Sequence, residues 1–351
     1  MAFTAPSQLL ERHLEHLHQE DILILNHEHD HFAQDVQQQA RSCTALALDY
    51  QHYEALQAQD IDHQFGIMLN NHQSQQFDRV IVYFPKAKEL ADYLCQLAAF
   101  YLKENGLLWV VGENKSGIKK LQKQTLDGFS PCQKIDNARH CLLYEAQLQK
   151  PLEQFDFKAW QKDFSVNTPQ GEIKICALPG VFSQKKLDAG SAFLLEHLQP
   201  LKGHVLDFGC GYGVLTCALL KHSPKCKVDC VDINAMALKS CALTLEANQL
   251  DARVYPSNGL SQVQQQFDAI ISNPPFHDGL KSTLAITEQF IKDCRQTLKP
   301  RGTLQIVANR HLAYAQYIEQ HFDQVNIIAK NKGYTIYLQT KAGKAGKAKR
   351  N

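Results

Sequence analysis

The tetrapeptide Asn273-Pro274-Pro275-Phe276 closes an apolar run, Ala269-Ile270-Ile271-Ser272, and its groups suit one kind of substrate. An exocyclic amine on a flat ring donates protons, so a protein that grips it must offer acceptors. The Asn273 side-chain oxygen and the Pro274 carbonyl supply two, and Phe276 offers a face on which the ring can stack. Consecutive prolines stiffen the corner, setting this geometry before a substrate arrives. In isolation the same four residues would also suit a plain Asn-Pro turn.

Earlier in the chain, Asp207-Phe208-Gly209-Cys210-Gly211-Tyr212-Gly213 follows a strand-like segment and opens a helical one. Such a turn presents backbone amides and the positive end of a helix dipole, and its glycines admit close approach of a ligand. Val214 stands where Gly-x-Gly-x-x-Gly would require a further glycine, so a dinucleotide site is disfavoured. With Asp207 ending the strand, the pattern suits S-adenosylmethionine, which carries an amino-acid tail and no pyrophosphate. Asp232 ends Val228-Asp229-Cys230-Val231-Asp232 at the distance where a carboxylate accepts both ribose hydroxyls. Alone it would equally cap the helix that follows. Asn258, before Gly259, is placed to pair with an adenine edge or to form an ordinary turn. Together these residues predict methyl transfer to an amine. That reaction is an in-line displacement governed by positioning, because the amine becomes acidic only as the new bond forms.

To hold these pieces the second half must fold as a doubly wound α/β sheet. Runs at Val205–Asp207, Val228–Asp232, Arg253–Tyr255, Ala269–Ser272 and Thr303–Ala308 alternate with helical periodicity. Val325–Ile328 and Tyr334–Gln339 are too close in sequence for a parallel crossover and predict an antiparallel edge hairpin. The first half has the same character, with an amphipathic helix from Ser7 carrying Leu10, Leu14 and Leu17 and strand-like runs at Asp21–Leu25, Ala45–Leu48, Val80–Phe84 and Leu107–Val111. Phe77–Pro85 parallels Phe267–Pro274, and Asn105–Val111 parallels Arg301–Val307, which indicates an internal duplication. Where the second copy has its glycine turn, the first has Leu23-Ile24-Leu25-Asn26-His27-Glu28-His29-Asp30-His31, whose side chains would block a cofactor. The expected organisation is a degenerate methyltransferase-like domain over 1–150 without a cofactor site, a catalytic domain over 151–340 entered through Lys150–Gly171, and a flexible basic tail over 341–351.

The bulk properties are compatible with this. A chain of 351 residues can bury two cores, and its 44% apolar content lies in short runs far from the roughly twenty residues that span a bilayer. The N-terminus, Met1-Ala2-Phe3-Thr4-Ala5-Pro6, carries no secretory signal, so a cytoplasmic protein with no membrane partner is expected. Eleven cysteines without paired spacing are expected to be reduced, buried and small-hydrophobe-like. His27, His29 and His31 alternate in a polar loop without cysteines, so solvated side chains are expected there and no metal. Lys115, Lys119 and Lys120 would either touch phosphate or line a solvated helix face. The net charge of +1 conceals 13 basic and 19 acidic residues in 1–150 against 24 and 17 in the remainder. Lys341, Lys344, Lys347, Lys349 and Arg350 give the tail a cationic character that favours a polyanion, or merely a solvated terminus.

Longer segments carry a family likeness. Leu178-Pro179-Gly180-Val181-Phe182-Ser183, Leu187-Asp188-Ala189-Gly190-Ser191, Ile271 to Gly279 and, in the first half, Val110-Val111-Gly112-Glu113-Asn114-Lys115-Ser116-Gly117 resemble bacterial ribosomal RNA guanine-N2 methyltransferases. The resemblance runs along nearly the whole chain and is closest to the family that modifies a guanine in helix 34 of the small-subunit (16S) RNA. It implies two tandem Rossmann-like class I methyltransferase domains. Only the second would bind S-adenosylmethionine, through Asp207, Gly209, Gly211, Gly213, Asp232 and Asn258, and the first would contribute RNA contacts. It further implies a monomer acting on 16S RNA in the small subunit. The target guanine would be extruded, held by Asn273 and Pro274, covered by Phe276 and bordered by Pro275 and His277. Val307-Ala308-Asn309-Arg310-His311-Leu312 looks more like enzymes of large-subunit RNA, which makes a 23S guanine the second reading. Adenine-N6 and glutamine-amide methyltransferases share the Asn-Pro-Pro corner, more often with Tyr fourth. From another class, a non-catalytic RNA-binding assembly factor would retain the fold without binding the methyl donor.

Overall fold

The computed structural model describes residues 2–70, 73–274, 281–322 and 324–343, with the backbone alone for 281–285. Pro275, Phe276 and His277, and most of the basic tail (344–351), lie outside the described residues. The chain divides into two compact units, Met1–Gln161 with Asn234–Met236, and Lys162–Ile233 with Ala237–Asn351.

In the first unit, Thr4 caps α1 (Ala5–Leu10) by accepting the Ser7 N–H, and Pro6 fits the first turn, where no amide partner is needed. A 3-10 run, Glu11–Leu17, continues it. The single α-helix expected from Ser7 is therefore corrected, for a physical reason: three residues per turn place Leu14 and Leu17 on one face, and both meet the core. Then follow β1 (Asp21–Leu25), α2 (Phe32–Gln39), β2 (Ser42–Ala47), α3 (Tyr50–Gln57), β3 (Asp62–Phe65), β4 (Phe77–Tyr83), α4 (Lys88–Tyr101), β5 (Leu102–Glu113), β6 (Gln133–Ala138) and β7 (Cys141–Gln147). The sheet runs β3-β2-β1-β4-β5-β7-β6, parallel as far as β5 and antiparallel beyond it.

The second unit opens with β8 (Lys162–Thr168) and β9 (Gly171–Ala177), an antiparallel pair where the sequence suggested only a connection. The pairing buries Val166 in β8 and Ile173, Ile175, Cys176 and Ala177 in β9, apolar residues set among polar ones in a polar-looking segment. Then come α5 (Ala189–Glu196), β10 (His204–Phe208), α6 (Val214–His222), β11 (Lys227–Asp232), α7 (Ala235–Ala247), β12 (Arg253–Pro256), β13 (Phe267–Ser272), α8 (Lys281–Thr297), β14 (Leu298–Asn309), α9 (Tyr314–Phe322), β15 (Ile327–Lys330) and β16 (Tyr334–Thr340). Their order is β12-β11-β10-β13-β14-β16-β15. β14, β16 and β15 are antiparallel neighbours, the edge hairpin expected from sequence. After reaching the edge at β12 the chain returns to the far side of β10, so a crevice opens at the carboxyl ends of β10 and β13. Phe267, Ile270, Ile291, Leu298, Leu304, Ile306 and Ile318 form its core on one face.

The duplication extends to local detail. β5 and β14 have the same succession of buried and exposed residues in all but the last position, each kinked by a left-handed residue, Asn105 (φ 63°) or Arg301 (φ 66°). Asp78 pairs with Lys103 at 2.7 Å, and Asp268 with Lys299 at 2.8 Å. The amides after β1 and β10 also start alike: Asn26 and His27 donate to Leu46 O, as Gly209 and Cys210 donate to Val231 O. Asn26 takes φ 59° in place of the glycine, a conformation that Asn tolerates. The copies then diverge. Asp30 accepts the Thr4 and Phe32 N–H groups at 2.9 and 3.0 Å, and Ser7 Oγ and Tyr83 OH lie 2.7 Å apart. His27, Asp30 and Tyr83 are buried. His27 is thus not the solvated side chain expected; its backbone bond to Leu46 holds it against the sheet end, its ring edge-on to Tyr83. The eleven cysteines are free thiols, Cys132 half-buried and the others buried. No helix among the described residues is long and apolar enough to cross a membrane.

Burial lowers the His27 pKa to about 4, against the attraction of Asp30, whose Oδ1 lies 3.8 Å from Nε2. The unfolded imidazole, titrating near 6.5, takes up a proton that the native one refuses. Its contribution to stability is therefore whole above pH 6.5 and declines as pH falls towards 4. Between pH 7 and 5 the first unit is expected to lose about 2 kcal/mol from this group, a loss that His27→Leu removes. Denaturant titrations of both proteins at the two pH values check it, equal pH dependence being the contrary result.

Candidate active site

The turn after β10 is held from below and left open above. Gly209 and Cys210 donate to Val231 O at 2.8 and 3.0 Å, and Gly213 donates to Cys210 O at 2.8 Å. All three glycines are left-handed, with φ 68°, 54° and 84°. Two of them are required for different reasons. A Cβ on Gly213 would lie 2.8 Å from the Cys241 Sγ on α7, so this glycine allows the helix to pack closely. A Cβ on Gly211 would meet nothing within 4 Å, so that face of the turn is free to receive a ligand.

Three further sequence-predicted residues arrive at the same sheet end. Asp232, half-buried at the end of β11, accepts the Gly211 N–H at 3.0 Å. Its backbone oxygen accepts from Ser257 at 3.1 Å, which suspends the half-buried Asn258 beside it; Ser257 Oγ in turn donates to Gly259 O at 2.8 Å. Asp207 is fully enclosed beneath the turn. Thr216 Oγ1 donates to its Oδ2 at 2.6 Å, whereas Oδ1 has no partner. Burial, aided by the nearby Asp232 charge and opposed by the Thr216 bonds, pushes its pKa up to about 7.

Asn273 stands just past β13, whose last residue, Ser272, donates from Oγ to Phe208 O at 2.7 Å and clasps β13 to β10. The Asn273 Nδ2 donates to Asp188 Oδ2 at 2.8 Å and to Ser191 Oγ at 2.9 Å. Asp188 caps α5, accepting the Ser191 N–H at 3.0 Å on the same oxygen. A Cβ on Gly190 would fall 3.0 Å from Asp188 Oδ2, 3.1 Å from Tyr334 Cε1 and 3.4 Å from Asn273 Oδ1. Only hydrogen fits there. Pro274 is buried at the start of the corner. The chemical reading of the residues singled out Asn273 but not Asp188, Gly190, Ser191 or Tyr334. Asp188 followed three residues on by Ser191 is a legible helix start, yet nothing local signals a contact 85 residues away.

Comparisons with known proteins identify the family and the fold. The family described as "Methyltransferase small domain" matches residues 172–338, and "Methyltransferase small domain N-terminal" matches 7–164. The chain is 51% identical over 337 residues to the ribosomal RNA small subunit methyltransferase C of Shewanella sediminis, covering 95% of this chain and 98% of that one. It is 52% identical over 335 residues to the protein of the same name from Shewanella denitrificans, covering 94% and 97%. Among solved structures, a T. thermophilus 16S rRNA N2 methyltransferase, RsmC, in complex with AdoMet and guanosine, superposes with TM-score 0.83. It is 23% identical and covers 96% of this chain and 92% of that one, a likeness of fold.

The two glycines make separable demands. Gly213→Ala incurs both left-handed strain and the Cys241 clash and should lower unfolding free energy by roughly 2–4 kcal/mol. Gly211→Ala incurs strain alone, about 1 kcal/mol. Denaturant titration distinguishes them; equal losses would contradict the assignment.

Proposed function

The chain belongs to the ribosomal RNA small subunit methyltransferase C family, and from that membership we propose that it transfers a methyl group from S-adenosylmethionine to the exocyclic N2 of a guanine in 16S ribosomal RNA, in helix 34 of the small subunit. The observation that carries this reading is the state of the Asn273 amide. Both of its N–H groups are engaged, by Asp188 and Ser191, so the group it has left to offer is an acceptor. An amine is the complement of that acceptor.

The residues present fit the methyl donor. Gly211 leaves an open face, Asp232 ends its strand half-buried, and the enclosed Asp207 keeps one carboxyl oxygen unpaired below the turn. In this reading Asp232 takes the ribose hydroxyls, Asn258 the adenine edge, and the turn from Asp207 through Gly209, Gly211 and Gly213 the amino-acid tail. When bound, the donor supplies an electrophilic sulfonium methyl carbon that accepts the amine lone pair, its sulfur leaving as a neutral thioether. Asn273 Oδ1 and the Pro274 carbonyl accept the two amine protons and aim the nitrogen. Phe276 covers the ring, while Pro275 and His277 border it. The amine sheds its extra proton to water once the new N–C bond has formed, so no strong base is needed.

The first unit is assigned no donor. Its corresponding turn has Asn26 where the second copy has Gly209 and contains no glycine, and His27, Asp30 and Tyr83 are buried there. It is left free to serve RNA contact. An enzyme with this substrate would act in the cytoplasm.

Asn273→Ala is expected to cut methyl incorporation into small-subunit RNA at least about 100-fold while donor affinity stays within a few-fold. Asp232→Ala should instead weaken donor binding by roughly 10- to 100-fold. Radiolabelled methyl transfer, calorimetry with the donor and nucleoside mass spectrometry of the product test this. An Asn273→Ala enzyme with undiminished turnover, or a methyl group found elsewhere than guanine N2, would overturn it.

A further inference from the structure

An asparagine amide alone does not define an acceptor. Rotating it by half a turn exchanges oxygen for NH2 at little steric cost and would present two donors to an amine that itself donates. Some feature of the fold must choose between the two orientations. We propose that Asp188, backed by Ser191, is a positioning residue for methyl transfer: it fixes the Asn273 amide with its oxygen towards the substrate and strengthens that oxygen as an acceptor. The proposal rests on the reading of Asn273 given above and adds to it the residues that make the reading work.

Chemistry fixes the orientation. A carboxylate has no proton to give, so the Asn273 atom 2.8 Å from Asp188 Oδ2 must be the nitrogen. Ser191 Oγ takes the second N–H at 2.9 Å. The carboxylate is in turn fixed by the helix it caps, through the Ser191 N–H at 3.0 Å and the bond from Ala192 N–H to the Asp188 backbone oxygen at 2.8 Å. One turn of α5 thus holds both partners of the amide. Gly190, lying between them, allows the approach, since a side chain there would press on Asp188, Asn273 and Tyr334 together.

The charge has a second consequence. An amide that donates to an anion shifts electron density onto its own oxygen, because hydrogen bonds in series polarise one another. The substrate nitrogen gains positive character as its bond to the methyl carbon forms. A negative group placed one amide away stabilises that state more than the neutral amine before it, which lowers the barrier rather than tightening binding.

The test exploits the fact that Asn caps helices as well as Asp does, so Asp188→Asn can keep an oxygen on the Ser191 N–H and hold α5 while removing the negative charge that fixes and polarises the Asn273 amide. Its kcat should fall roughly 10- to 100-fold, with the donor Kd and the KM for donor within twofold of the parent. Ser191→Ala should fall less, about 3- to 10-fold. In the Asn273→Ala background the amide that Asp188 aims is absent, so Asp188→Asn has nothing left to misplace. There it should cost less than about threefold further, a coupling that a merely structural residue would not give. Asn273→Ala is measured beside them. If it is inactive while Asp188→Asn keeps the parental kcat, the positioning role falls and the assignment of Asn273 stands. If Asn273→Ala is itself active, the reading of the site falls and takes this proposal with it. Loss of donor binding by Asp188→Asn in step with kcat, or the same fold-loss in the Asn273→Ala background as in the parent, would likewise overturn it.

Discussion

One buried hydrogen bond, from Ser272 Oγ to Phe208 O, joins the ends of the two central strands of the second unit. The glycine turn begins one residue beyond Phe208, and the Asn-Pro corner one residue beyond Ser272. A ligand on the turn and a ligand on the corner are therefore referred to a single short link in the sheet. Strand order explains why these two ends are neighbours at all: the chain runs outward to β12 and resumes on the opposite side of β10, so the connections leave β10 and β13 in opposite directions. Methyl transfer between two bound molecules depends on their separation and alignment, which a loop would hold less closely than a pair of hydrogen-bonded strands.

Two different electrostatic solutions surround that link. Under the turn, Asp207 is enclosed and its carboxyl pushed towards protonation, with one oxygen unpaired. At the corner, Asp188 bonds both the first turn of a helix and the Asn273 amide. A buried acid with an unpaired oxygen is costly for folding, whereas a helix-capping acid contributes to it. The second unit thus combines an economical positioning device with one that stability alone would not select.

Much of this architecture was legible in the chain. Alternating apolar runs and helical periodicity gave the parallel strands, and the short spacing before Tyr334 gave the edge hairpin, because both are local signals. Asp207, Gly209, Gly211, Gly213, Asp232, Asn258 and Asn273 all come to the carboxyl ends of neighbouring strands, as expected from their positions at strand ends. What escaped notice is non-local or depends on context. β8 and β9 look polar because one face is exposed, and β3 is four residues long. His27 sits in a sequence of polar neighbours, and only the backbone bond to Leu46 drives it inward. The Asp188–Asn273 contact closes a long loop, and no periodicity reports such a meeting.

The repeated kink at Asn105 and Arg301 bears on how the molecule's parts should be weighed. A left-handed backbone at a residue with a side chain costs on the order of 1 kcal/mol, and here both copies bear it, in strands with the same burial in all but the last position. One copy has glycines in its turn and the other does not, so the kink cannot owe its persistence to catalysis. Each half is a built-in control for the other. Features shared by the two belong to the architecture they inherited, and those confined to one record the trade each half has since taken up.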